Sequence, residues 1–201
     1  IERELSKHSF DLIQSHERTT TQDIYRAGDG CHKEWLAQRK KYYPIKGWLS
    51  FLNPFHWAVL KVEREIFTPE NYKRIVAISQ MVKKDIQYHY KLPDKDISVI
   101  HNGVALKRFH PSNRSEHYRY IRQKLDIPPN AISILTVGSG FERKGLKFLI
   151  KSLKYLDAKD WRLIVIGKGN WKKYRSYASW KNRKKLIHTP PPVEEIEQYY
   201  A

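Results

Sequence analysis

Short apolar runs of β type alternate along this chain with stretches of helical spacing, and that alternation restricts the fold more than any other feature. Arg74-Ile75-Val76-Ala77-Ile78 and Ile97-Ser98-Val99-Ile100 read as buried strands, as do 132–137, 162–166 and 185–188, with a short first strand over 11–15. Between them the spacing predicts helices over 31–39, over about 45–67 with a break near Pro54, and from a Ser79 cap to about Tyr88. Further helices are expected over 113–125, 145–155 and 171–180, with a last one from near Val193. Strands joined through helices pair in parallel, with right-handed crossovers, so the expected fold class is α/β with doubly wound parallel sheets. A fresh series starts at Ile132 after the Pro128-Pro129-Asn130 break. The expected organisation is one sheet domain over 1–110, a linker region over 111–130 and a second sheet domain over 131–201.

Where the strand 132–137 ends, the chain reads Gly138-Ser139-Gly140-Phe141-Glu142-Arg143-Lys144-Gly145 before helical spacing resumes at Leu146. Glycines in such a turn let backbone N–H groups come close to an anion, and the following helix start adds partial positive charge. The two cations beside the turn suit a diphosphate; an ordinary strand-to-helix turn with a solvated Arg-Lys pair fits the same residues. A second glycine turn, Gly167-Lys168-Gly169-Asn170, closes the strand 162–166. In a parallel sheet both turns fall at the carboxyl edge, where such sheets bind ligands.

The formal charge of +17, from 38 Lys and Arg against 21 Asp and Glu, favours anionic partners: nucleic acid, an anionic membrane surface or phosphorylated small molecules. It is dense over 168–185, where cations interleave with Trp171, Tyr174, Tyr177 and Trp180. That mixture suits single-stranded nucleic acid, but the aromatic spacing is that of a helix's buried face, and packing is the favoured reading. Over 40–57, basic residues mix with Tyr42, Ile45, Trp48, Leu49, Phe55 and Trp57, a composition that seats a helix in a membrane interface or folds it onto its own domain. No apolar run approaches the roughly 18 residues that cross a bilayer, and the opening Ile1-Glu2-Arg3-Glu4 lacks a signal-peptide pattern. Cys31 is the single cysteine, which fits a reducing compartment.

The order of these motifs resembles glycosyltransferase family 4. The resemblance rests on Ile78-Ser79-Gln80, Val99-Ile100-His101-Asn102-Gly103-Val104, Val137-Gly138 with Lys144-Gly145, Val165-Ile166-Gly167-Lys168-Gly169, and Glu194-Glu195-Ile196 with Tyr199-Tyr200-Ala201. Asp23-Ile24-Tyr25-Arg26-Ala27-Gly28-Asp29-Gly30-Cys31 is most similar to the branch that attaches glucose to the inner-core heptose of lipopolysaccharide, which extends the likeness back to about Asp11. It implies a GT-B architecture: parts of two Rossmann-like domains facing a cleft, nucleotide sugar on the C-terminal one and acceptor on the N-terminal one. It also implies a retaining transfer with no metal ion and no cofactor.

A reaction of that kind must stabilise the departing nucleoside diphosphate with cations and backbone dipoles. The resemblance therefore implies Arg143 and Lys144 as diphosphate ligands, Gly138, Gly140 and Gly167 as the close backbone, Thr189 beside the base, and Asn102 and Gly103 at the hinge and cleft. Asp29 and His16 are the acceptor-side catalytic candidates, each readable also as a turn or surface residue, and Asp23 and Asp29 would flank a cleft-facing segment. Where many members carry Gly-Arg this chain has Gly138-Ser139, so Arg143 would supply the charge. The family's N-terminal glycine-rich loop and its acidic donor-sugar motif would lie before Ile1 and after Ala201. The expected activity is transfer of a hexose, glucose from UDP-glucose, to a lipopolysaccharide core or related envelope glycan. The expected location is cytoplasmic, peripheral at the inner face of the membrane, with the fragment inactive alone. Rival readings are a basic nucleic-acid-binding module and a non-catalytic truncated remnant.

Overall fold

The computed structural model describes residue 5 and residues 7–201; the opening Ile1-Glu2-Arg3-Glu4 lies outside them. The chain divides into two compact units, Ile1–Gly103 and Val104–Ala201.

In the first unit β1 (Gln14–Ser15), β2 (Ile24–Ala27), β3 (Arg74–Ala77) and β4 (Ile97–Val99) form a parallel sheet in that order. Tyr25 pairs with Ile75 and Ala27 with Ala77, while Ile75 and Ala77 pair onward with Ile97 and Val99. One face of the sheet is thus in phase and buried, together with Ile66 and Phe67 and with Val82 and Ile86 of α4 (Gln80–Tyr90). β2 is absent from the sequence expectation because it is four residues long and carries Arg26 within its apolar pattern. The expected Ser79 cap forms, its Oγ accepting from the Val82 N–H at 3.2 Å. The helical stretch 45–67 breaks as expected near Pro54 into α2 (Pro44–Ser50) and α3 (Pro54–Ile66), with Asn53 Oδ1 accepting from the Phe55 N–H at 2.9 Å. Before them α1 (His32–Tyr42) fills the region expected from 31–39.

In the second unit β5 (Ile132–Val137), β6 (Trp161–Ile166) and β7 (Leu186–Thr189) form a parallel sheet in chain order. β6 is covered on both faces. Trp161, Leu163 and Val165 join a core with Leu146 and Ile150 of α6 (Leu146–Ser152), whereas Ile164 and Ile166 join another with Ile121 of α5 (Asn113–Lys124) and Tyr199. That three-layer arrangement explains why β6 reads as a continuous apolar run, the signature of a buried parallel strand. Residues 111–130 lie in this unit, and Ile121 and Ile127 are part of its core.

Two expected helices differ. The helix over 171–180 ends at Arg175 as α7 (Trp171–Arg175), and residues 180–185 form a 3₁₀ turn instead. Tyr174 is buried and Trp171 and Tyr177 pack beside it, but Trp180, which the spacing assigned to the same face, is 83% exposed. The helix from Val193 is a 3₁₀ turn over Ile196–Tyr200. No helix among the described residues is long and apolar enough to cross a membrane.

Candidate functional site

At the carboxyl edge of the second sheet the two glycine turns lock together through backbone. The Gly138 N–H donates to Ile166 O at 2.8 Å and the Gly140 N–H to Lys168 O at 3.3 Å, while Ser139 Oγ accepts from the Lys168 N–H at 3.1 Å. Gly167, with φ +152°, is buried directly beneath: a Cβ on it would meet the Gly138 carbonyl oxygen at 2.3 Å. Its N–H points to the Thr189 carbonyl at 3.4 Å, and its own carbonyl is 2.9 Å from His188 Nε2. The His188 ring stacks on Trp171 at 4.9 Å and meets Phe141 edge-on at 6.0 Å. Gly138, Gly140, Gly167 and Thr189 are therefore neighbours at one sheet edge, braced from behind by aromatic rings.

The cations lie over this backbone floor. The stem of Lys144 crosses Gly138, with Cε 3.0 Å from where a Cβ would stand, and Arg143 Nε is 3.9 Å from the corresponding point on Gly140. Both side chains are exposed. Two exposed cations above a floor that admits no side chain can hold an anion of diphosphate size, since charge-assisted contacts from above add to backbone dipoles from below.

In the first unit the carboxyl ends of the strands bring His16, Asp29 and Asn102 to one edge. His16 is exposed and turned to Gln14, Nε2 to Nε2, at 2.8 Å. Asp29 accepts from Arg18 Nη1 at 3.1 Å, and Asn102 Oδ1 accepts from Arg26. A Cβ on Gly103 would meet nothing within 4 Å. Asp23 corrects the expectation of a cleft-facing segment: the residues between it and Asp29 are β2, and Asp23 stands at the opposite, amino edge. There its carboxylate accepts from the Ile13 N–H at 2.8 Å and pairs with Lys73 at 2.8 Å, and the Lys73 hydrogen bond holds its pKa below the usual carboxylate range.

Behind the Asp29 edge is a residue that sequence reasoning missed. Glu63 of α3 is 1% exposed and its carboxylate accepts from the N–H groups of His32 (2.6 Å) and Lys33 (3.1 Å), supplying the cap that Cys31 does not give α1. It also accepts from Tyr90 Oη at 2.6 Å and lies 4.0 Å from Arg18 Nε, a buried atom with no hydrogen-bond partner among the described residues. Burial, with Glu63 adding to it, pushes the Cys31 thiol up to about 12 and raises the Tyr90 hydroxyl too. His32 is shifted the other way, downward, by burial. The available sequence signal was an acid in an apolar helical phase: Val59, Glu63 and Ile66 share one face of α3, and Phe67 follows as its C-cap.

Comparison with known proteins extends this geometry. Residues 1–108 match the model of Glycosyltransferase Family 4 and residues 118–200 that of Glycosyl transferases group 1. The lipopolysaccharide glucosyltransferase WaaG of Escherichia coli is 24% identical over 191 residues, covering 94% of this chain and 50% of that protein. An uncharacterized glycosyltransferase of Methanocaldococcus jannaschii is 24% identical over 102 residues, covering 50% of this chain and 26% of that protein. The crystal structure of WaaG superposes with a TM-score of 0.78 at 23% identity, over 98% of this chain and 52% of that one. Anabaena HepE in complex with UDP-glucose gives 0.53 at 18% identity, over 88% of this chain and 50% of that one. The architecture is thus the GT-B type, and the chain spans at most about half the length of the relatives it matches.

Proposed function

Since this chain belongs to Glycosyltransferase Family 4, we propose that it is part of an enzyme that moves a hexose, glucose from UDP-glucose, to a lipopolysaccharide core or related envelope glycan, with retention and without a metal ion. The observation that carries the donor side is the glycine floor of Gly138, Gly140 and Gly167 beneath Arg143 and Lys144. In this reading the two cations hold the diphosphate and offset the charge that develops on it as the sugar departs, the role a divalent cation fills elsewhere. Thr189 adjoins the base. On the acceptor side Arg18 orients Asp29 toward the incoming hydroxyl, and His16, Asn102 and Gly103 line the same sheet edge.

The donor assignment is tested by thermal shift and calorimetry with UDP, UDP-glucose and the matching GDP- and ADP-sugars. Arg143→Ala/Lys144→Ala should weaken UDP-glucose about 100-fold or more, since two charge-assisted contacts of at least about 1.5 kcal/mol each sum to about 3 kcal/mol at the low end. Parental affinity in that variant would remove the assignment. The envelope acceptor agrees with a second reading, that the first unit rests on an anionic membrane face. Ile45, Trp48, Leu52, Phe55 and Trp57 are all more than half exposed, next to Lys40 and Lys41. Reduced sedimentation with anionic vesicles in Trp48→Ser/Trp57→Ser is the expected result; unchanged sedimentation argues against it.

A further inference from the structure

The second unit carries charge out of proportion to its size. Between residues 144 and 185 there are fourteen Lys and Arg against two Asp, so most of the chain's net +17 originates there. Diphosphate binding uses only Lys144 of this segment together with Arg143. The remaining cations are not spread evenly around a solvated surface: several gather at the amino edge of the sheet, where β6 begins at Trp161 and β7 at Leu186.

A hollow of about 400 Å³ opens at that edge. Its floor is apolar, made by Ile150, Leu153, Trp161 and Leu186, and Ser179 and Asn182 add polar groups to its wall. Lys151 and Lys154 stand on its lining and Lys185 lies over the Trp161 ring, Nζ 5.0 Å from the centroid. Two aromatic side chains adjoin the lining residues and project outward: Tyr155, 78% exposed beneath Lys154, and Trp180, 83% exposed beneath Arg183. Of the two acids in this segment, Asp160 is already paired with Arg162.

We propose that this hollow is a binding site for the head group of an anionic phospholipid at a bilayer surface, separate from the glycine-turn site. The chemistry matches in three parts. Lysines around the rim attract the lipid phosphate, worth about a tenfold affinity gain for every one to two cations near an anionic leaflet. The apolar floor receives the glycerol backbone and first methylenes, and Trp180 and Tyr155 occupy the depth at which indole and phenol rings settle in an interface. Single-stranded nucleic acid would use the cations and the rings, Trp161 and Tyr177 of the lining included, but has nothing to place against Ile150, Leu153 and Leu186, so lipid fits the whole site and nucleic acid only part of it. Because the hollow is at the amino edge of the sheet, an occupied site leaves the donor edge of the same unit open.

The test reads this site apart from both proposals above. In Trp180→Cys, labelled with an environment-sensitive fluorophore, the dye ring stands where the indole stood, and buried Cys31 stays unlabelled. Vesicles of phosphatidylcholine with phosphatidylglycerol should shift its emission to the blue, and phosphatidylcholine alone should not. Lys151→Ala/Lys154→Ala, a change of two exposed side chains, should lower the partition coefficient about thirtyfold with UDP-glucose binding unchanged. An unshifted dye on vesicle-bound protein would overturn the proposal, since binding would then run through residues 40–57 alone. So would a vesicle affinity indifferent to the lysines, or a dye that responds to a single-stranded oligonucleotide and not to lipid.

Discussion

Gly167→Ala puts a Cβ 2.3 Å from the Gly138 carbonyl oxygen and 2.7 Å from its carbon, in a backbone at φ +152°. Side-chain carbons rarely approach other heavy atoms closer than 3.0–3.4 Å, so the alanine requires the 138–140 turn to withdraw by 0.7–1.1 Å. Two costs add. A non-glycine residue held at such a φ costs about 1–3 kcal/mol, and overpacking of a close interior contact a further 1–3 kcal/mol. The sum, about 2–6 kcal/mol, is a large part of the 5–15 kcal/mol that holds a typical domain folded. For a unit of this size the unfolding temperature should fall by about 8 °C or more. Differential scanning calorimetry measures it, with Gly103→Ala as the control, since nothing lies within 4 Å of a Cβ there. UDP-glucose affinity should fall with the displaced turn. A Gly167→Ala protein within about 0.5 kcal/mol of its parent would refute the argument that the two turns are held by backbone contact.

Two other outcomes follow from the first unit. Glu63→Ala strands the His32 and Lys33 N–H groups and Tyr90 Oη, and should cost about 3–5 kcal/mol in guanidinium titrations, with hydrogen exchange at residues 32 and 33 accelerating most; a loss under about 1 kcal/mol would show that water replaces the carboxylate. The second concerns alkaline pH. Cys31 is pushed up to about 12 when folded, against about 8.5 in an unfolded chain, and Tyr25 and Tyr72 rise to about 12 from about 10. Folded values above unfolded ones mean that this stability is complete below about pH 8.5 and drains away as pH climbs toward 12. Between pH 8.5 and 10 the slope from Cys31 alone should steepen from about 0.7 to about 1.4 kcal/mol per pH unit, and Cys31→Ala should flatten it; a urea midpoint constant over that range would contradict the burial of the thiol.

Where the sequence was informative, a strong local period was the reason. β5 occupies exactly the expected 132–137, and α6 with the 3₁₀ turn Leu153–Tyr155 fills 145–155, because apolar runs bounded by glycine leave few alternatives. The convergence of Gly138 and Gly167 was also readable, since in a parallel sheet every strand delivers its next residue to the same edge. Failures came where tertiary contacts outweighed local pattern. Four-residue β2 is held between its neighbours and has too little periodicity to announce itself. Trp180 follows helical spacing from Trp171, but the chain leaves the helix at Arg175, and a residue after that point keeps the spacing without the face. Asp29 could be placed at an edge but not joined to Arg18, 11 positions away, nor through Arg18 to Glu63, which lies 45 positions from that arginine.

β6 raises a question of register. A strand with one wet face is held in register by polarity, for a slip of one residue would drive charges inward. β6 has cores on both sides, and Leu163-Ile164-Val165-Ile166 would be almost as apolar after such a slip. Its alignment must be fixed at its ends. Arg162, bonded to Asp160 and to the Trp161 carbonyl, marks one end, and Gly167 under the Gly138 carbonyl marks the other. A one-residue insertion within 161–166 would therefore move a side chain into the place only Gly167 can occupy, and the glycine floor would be lost through the strand behind it.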